Sequence, residues 1–253
     1  MNNDLTIVIQ GLFSQDSASR IEQYRKLTNN IVYSTWKHPS LKELPDYVKV
    51  VSHDLCDKGN CYCCNMRMQN LIQDSTIAWA VSTTRAGIRE VETEYTIKVR
   101  ADEYYNLEPF VEKMMENKDK VLFGNIFVRK FKDQPYHMGD HVFGGKTKFF
   151  ATAYENIFDD AHNYSPNHFD QFCYNYMRHP TYGSWPAESM LACNIMKAMG
   201  LEITKENFAK AFEVIDINLM TPFMARWCHD HKVYTDKFDL HRNIFSVEDM
   251  VND

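Results

Sequence analysis

Short apolar runs rich in β-branched residues recur through the first half of the chain, each closed by polar or glycine-containing turns. Leu5-Thr6-Ile7-Val8-Ile9-Gln10 stops at Gly11 and reads as a buried strand followed by a turn. From Asp16 or Ser17 to about Thr28, the spacing of Ala18, Ile21, Tyr24, Leu27 and Thr28 predicts a helix, which Asn29-Asn30 ends. Ile31 to Trp36 reads as a second strand and Val48 to Ser52 as a third. Strand, helix and strand in this order form a βαβ unit, the opening of an α/β nucleotide-binding fold. Asp54 to Cys64 is polar and reads as a loop. Helical spacing returns at Met68, Leu71, Ile72, Ser75, Ala78 and Trp79, and a second helical piece covers Thr84 to Glu92.

The next strand organises the rest. In Thr96-Ile97-Lys98-Val99-Arg100-Ala101-Asp102-Glu103 an apolar run turns abruptly into a charged cluster. A buried parallel strand has this pattern when its C-terminal end opens onto a site, and ligands of open α/β sheets bind beyond such ends. Pro109 then starts a helix containing Phe110, Val111, Met114 and Met115. Val121-Leu122-Phe123 and Ile126-Phe127-Val128 bracket Gly124 as a further strand or strand pair, and His137 to Gly145 reads as a loop. Thr147 to Phe158 is helical, and His162 to Gly183 is irregular and aromatic. Pro186 to Met199 is the clearest helix: proline lies in its first turn, Leu191, Ile195, Ala198 and Met199 form a stripe, and Gly200 stops it. The pattern contains no repeat or linker. It predicts one α/β domain over 1–253, with a Rossmann-like central mixed sheet flanked by helices, a nucleotide half over about 1–103 and an acceptor half over about 104–253.

Composition narrows the class. A hydrophobic share of 44% with 25% charged residues is that of an ordinary globular protein, long enough for a sizeable core. The formal net charge of -6 argues against a nucleic-acid binder, which carries a basic face. No run approaches the roughly 18 apolar residues of a transmembrane segment. Met1-Asn2-Asn3-Asp4 lacks the basic region of a secretory signal. The 7 cysteines are odd in number and cannot all pair, so they read as reduced thiols of a cytoplasmic protein. Cys56, Cys61, Cys63 and Cys64 are weighed as a zinc site and set behind plain thiols, because no second pair follows nearby.

Candidate chemistry gathers at a few places. Asp102 and Glu103 can ligate manganese or magnesium, which take carboxylate and diphosphate oxygens; the ordinary alternative is a solvated acidic turn. Glu188, in the first turn of its helix, can take a proton from an attacking hydroxyl, or serve only as an N-terminal helix acid. Asp140 with Gly144-Gly145 reads as a flexible loop that closes over a sugar, or as a polar turn. His229 and His231 are candidate late metal ligands or surface histidines. Of Arg85, Arg89 and Arg100, Arg100 stands out as a phosphate partner because it shares a strand face with Asp102. The rings of Phe169, Phe172, Tyr174, Tyr176, Tyr182 and Trp185 read mostly as core, with some available to stack on a sugar.

In their order along the chain, these segments resemble the WavE family of lipopolysaccharide-synthesis proteins, which are glycosyltransferase-like with a GT-A-type fold. The resemblance is carried by Ile7 to Gly11 with its Gln10-Gly11 turn, by Asn65, Arg67 and Gln69 followed by Gly87, and by Lys98 to Asp102 as a Lys-x-Arg-x-Asp strand end. Asp140 to Gly144 and Pro186-Ala187-Glu188 complete it. It implies transfer of a sugar from a nucleotide-sugar donor, with inversion, to a glycan, lipid-linked or protein-linked acceptor. It further implies Asp102 and Glu103 at a metal, with His229 or His231 completing the shell, and donor contacts from Gln10, Gly11, Arg100, Gly144 and Gly145. Glu188 is then the base, and Asp140 a catalytic contact to the sugars. Arg100 stands where GT-A enzymes carry the first acid of Asp-x-Asp. The expected location is cytoplasmic, peripheral to a membrane where the acceptor is membrane-bound. The rival readings are a nucleotidyltransferase acting on sugar phosphates and a non-catalytic glycan- or nucleotide-binding protein of the same fold. The first is disfavoured because Gly11-Leu12-Phe13-Ser14-Gln15 carries no basic residue.

Overall fold

Apolar runs buried on both faces in β1 (Leu5–Gln10), β2 (Asn30–Trp36) and β4 (Tyr95–Arg100), with β3 (Val48–His53) at the edge, assemble a parallel half-sheet. The computed structural model describes residues 2–13, 20–53, 75–163, 187–225 and 244–252. β5 (Val121–Gly124), β6 (Val142–Lys146) and β7 (Phe212–Ile215) extend the sheet to seven strands in the order β3-β2-β1-β4-β6-β5-β7. β6 alone runs against its neighbours β4 and β5. The expected α/β architecture, a mixed sheet flanked by helices, is therefore present, and residues on either side of position 103 contribute strands to the one sheet.

Helices cover both faces. On one side, Ile7, Ile9, Tyr33, Ile97 and Val99 pack with Tyr24 of α1 (Ile21–Arg25) and with Phe110 and Met114 of α3 (Glu108–Glu116). On the other, Phe123 and Phe143 meet Phe150 and Ala153 of α4 (Thr147–Asn163), Leu191 and Ile195 of α5 (Ala187–Ala198), and Phe208 of α6 (Lys205–Ala211). Burial of these two apolar layers supplies the main folding force. The helix α2 (Ser75–Arg89) lies against β1 and β2. The chain closes with α7 (Val247–Val251), started by a capping box between Ser246 and Asp249.

The chain leaves β1 toward β2 and β3 on one side and returns to β4 on the other. The carboxyl ends of β1 and β4 thus lie at a topological switch point, where a crevice opens. Gln10 and Arg100 are paired across it. Gly11 turns the chain there at φ +135°, a conformation that side chains rarely adopt.

Several expectations shift. The expected loop over His137 to Gly145 ends at His141, and Gly144 and Gly145 lie in β6. At Gly144, a Cβ would stand 2.8 Å from Phe110 and 2.9 Å from Ile97, so glycine lets α3 and β4 close on the strand. The doublet reads as a loop in sequence because its reason is a tertiary contact. Ile126 to Val128 is irregular, with Phe127 at φ 57°. The two helical pieces expected before β4 include one continuous helix, α2. Four-residue β7 and the helix α6 before it were not expected. The expected helix from residue 16, the region 54–74, and much of the aromatic stretch, including Phe169 to Trp185, fall wholly or partly outside the described residues.

Candidate functional site

Period-2 alternation on β4 sends Thr96, Lys98 and Arg100 to the face opposite Ile97 and Val99. Lys98 is only 1% exposed, an unusual position for a lysine, and its ammonium donates to the backbone carbonyl of Asp140. Burial lowers its proton affinity. Beyond it, Arg100 forms a two-pronged pair with Asp102, Nε to Oδ1 at 2.9 Å and Nη2 to Oδ2 at 2.8 Å. Burial opposes the charge on both members. The mutual contact outweighs it, holding Asp102 below its ordinary range and Arg100 firmly protonated.

Glu103 turns the other way. It is buried, accepts a 2.7 Å hydrogen bond from the Tyr105 hydroxyl, and lies 2.6 Å from Nδ1 of His141. Nε2 of His141 is 3.7 Å from Asp140, and its ring stacks on Phe127. The two adjacent acids of the sequence thus separate: Asp102 faces the crevice and is half-exposed, whereas Glu103 orients a histidine from below.

A cavity of about 400 Å³ opens on this face, lined by Lys98, Arg100, Arg129, His137, Asp140 and Glu188 among others. A second, of about 250 Å³, lies at the ends of β1 and β4 against Gln10, Gly11, Trp36 and Asp102. Arg100 and Asp140 line both. Gln10 is also tied to α2, donating to the Thr83 hydroxyl at 2.8 Å. Glu188 projects from the first turn of α5 and is 26% exposed. Burial, then the charge of Asp140, pushes its carboxyl up to about 7. Burial works in the same direction on Asp140, but the charges of Lys98, His141 and Arg100 outweigh it and hold that carboxyl well below the usual range. Two acids lining one cavity are thus driven apart: one is ionised throughout and the other is poised near neutrality.

The sequence-predicted residues Gln10, Gly11, Arg100, Asp102, Asp140 and Glu188 therefore line two adjoining cavities. Gly144 and Gly145 lie within the sheet and line neither, while His229 and His231 lie outside the described residues. Arg85 and Arg89 both grip Glu155 on α4. Sequence reasoning missed Lys98 and Arg129. Lys98 had a signal, a lysine inside an apolar strand two residues before Arg100. Arg129 had none, since its position depends on how the 125–141 segment folds back.

Among the described residues no three His, Cys, Asp or Glu side chains gather to hold a metal. Of the two carboxylates that line the crevice, Asp102 is more exposed than Asp140, and an ion of the magnesium type takes one or two carboxylates and completes its shell with phosphate oxygens. Among the described residues no helix is long and apolar enough to cross a membrane.

No curated protein matches the chain in a sequence search. Among solved structures, HddC from Yersinia pseudotuberculosis, crystallised with GMP-PN, is similar at 10% identity and a TM-score of 0.32, over 59% of this chain and 79% of that one. The sequence model for WavE lipopolysaccharide synthesis matches residues 6–227, which take in the seven strands but for the first residue of β1 and every described site residue, and the chain belongs to that family.

Proposed function

We propose that the protein is an inverting glycosyltransferase that moves a sugar from a nucleotide-sugar donor to a hydroxyl of a glycan or a lipid- or protein-linked acceptor. The observation that carries this reading is the position of Glu188. Its carboxyl faces a cavity continuous in its lining with the crevice at the strand ends, and its pKa of about 7 suits a general base at neutral pH. The nucleotide would lie over Gln10-Gly11 and Trp36, with its diphosphate at Arg100. The acceptor hydroxyl would approach from the larger cavity and lose its proton to Glu188 as its oxygen attacks the anomeric carbon. Asp140, held ionised, would contact the sugar hydroxyls or the positive charge that develops on the ring.

Asp102 would hold a magnesium or manganese ion beside the diphosphate, giving up its contact with Arg100 to do so. When bound, such an ion stabilises the charge of the departing diphosphate. Arg100 offers the same oxygens a guanidinium that needs no ion.

The test follows turnover of a nucleotide sugar against pH. Wild-type kcat/KM should rise with pH and level off above about 7, because only ionised Glu188 accepts a proton. Glu188→Gln should lower kcat by roughly 10²–10⁴-fold with little change in nucleoside diphosphate affinity. An unchanged kcat in this variant would remove Glu188 from the mechanism, and failure of the wild type to turn over any nucleotide sugar would overturn the transferase reading.

A further inference from the structure

The larger cavity holds a cation that neither the donor nor the proposed base uses. Arg129 lines it, its Nη1 is buried, and that nitrogen has no hydrogen-bond partner. No carboxylate among the described residues lies within ion-pair distance of it, whereas Arg100 has Asp102, and Lys98 donates to a backbone carbonyl. His137 lines the same wall, is 5% exposed, and likewise has a buried Nδ1 with no partner. Its Nε2 faces Glu188 at 3.7 Å, so it stands beside the proposed base. Buried polar atoms are nearly always satisfied, and a buried nitrogen of a charged group left without an acceptor is rarer still.

The charge balance points the same way. With Arg100 paired to Asp102, Lys98 and Arg129 face Asp140 and Glu188, two cations to two acids, and one of those acids is half protonated near neutrality. The segment that presents Arg129 and His137 is firmly anchored. Asn125 accepts from the backbone of Ile217 and donates to that of Ile244, and Phe131 donates to the backbone carbonyl of Met250. Phe127 and Tyr136 in this segment hold positive φ, a strained backbone maintained by its surroundings. The unsatisfied donors are therefore held in place in the absence of a ligand.

We propose that Arg129 and His137 form an anion subsite in this cavity, so that the acceptor whose hydroxyl reaches Glu188 is a sugar carrying a carboxylate or a phosphate. Arg129 receives the anionic oxygens, and neutral His137 donates one further hydrogen bond. The proposal rests on the transferase reading for the word acceptor, but the subsite itself is a binding property and is tested as one.

The experiment measures Kd by calorimetry for D-glucuronate, D-glucose 6-phosphate and D-glucose on the full chain, with UDP and GDP titrated separately. At least one charged sugar should bind at least about tenfold more tightly than glucose. Preference for glucuronate assigns a carboxylate, and preference for the phosphate assigns a phosphate. Arg129→Gln should abolish the preference, and Arg129→Lys, which keeps the charge without the fork, should restore part of it. Equal affinity for all three sugars in the wild-type chain overturns the subsite, whatever the variants do. A preference that survives in folded Arg129→Gln overturns the assignment to Arg129. Failure of the transferase reading shows elsewhere, as a wild-type chain that binds neither UDP nor GDP.

Discussion

At the residue level, burial beside Asp140 makes ionisation of Glu188 costly, and that cost falls on the fold. The carboxyl titrates near 4.5 when free and at about 7 in place, so the folded chain binds its proton more tightly than the unfolded chain. Stability from this group is therefore greatest below about 4.5 and is lost as the pH rises toward 7 and above. Glu188→Gln removes the penalty. At pH 8 it should stabilise the protein by about 1–2 kcal/mol, reduced from the full shift by partial exposure, and raise Tm by about 3–6 °C. Thermal unfolding at pH 8 and pH 5 checks this: the gain should be present at the higher pH and shrink at the lower. A variant that is more stable and less active is the pattern expected of a strained functional group.

At the level of elements, α2 and α4 are joined across the second core by one carboxylate. Glu155 accepts from Arg85 at 2.5 Å and from Arg89 at 2.6 Å. Arg85 is the more buried of the two arginines, so its contact with Glu155 is the less solvated arm and the more costly to lose. Glu155→Gln should cost about 1–2 kcal/mol, read as a lower urea midpoint with unchanged slope. The loss should shrink in high salt, because the exposed Arg89 arm is screened. These helices also supply Ala80, Thr84 and Tyr154 to the wall of the larger cavity.

At the level of the whole molecule, the sheet joins two sites: a crevice at the β1 and β4 ends, where the proposed nucleotide would bind, and a charged cavity under α5. Arg100 can meet a diphosphate directly, while Asp102 alone is a sparse metal site. UDP or GDP should therefore raise Tm without added metal, and magnesium or manganese should add a further shift only when the nucleotide is present. A melting series with each component alone and together checks this. A shift with metal alone would point to ligands beyond Asp102.

The amino-acid sequence by itself determined the parallel strands, the main helices and the charged cluster at the end of β4, because strand and helix periodicity is written locally in residue order. It also marked Arg100, Asp102, Asp140 and Glu188, which stand at element ends where charged residues interrupt apolar patterns. Only the tertiary structure decided that Glu103 turns inward to His141 while Asp102 faces the crevice, since adjacent residues on a turn can point either way. It also placed Gly144 inside the sheet, where Phe110 and Ile97 leave no room for a side chain. The pairing of Glu188 with Asp140, and of both with Lys98 and Arg129, belongs to the same class. These groups are far apart in sequence, and their proton affinities come from burial and neighbouring charge, properties that only the folded chain creates.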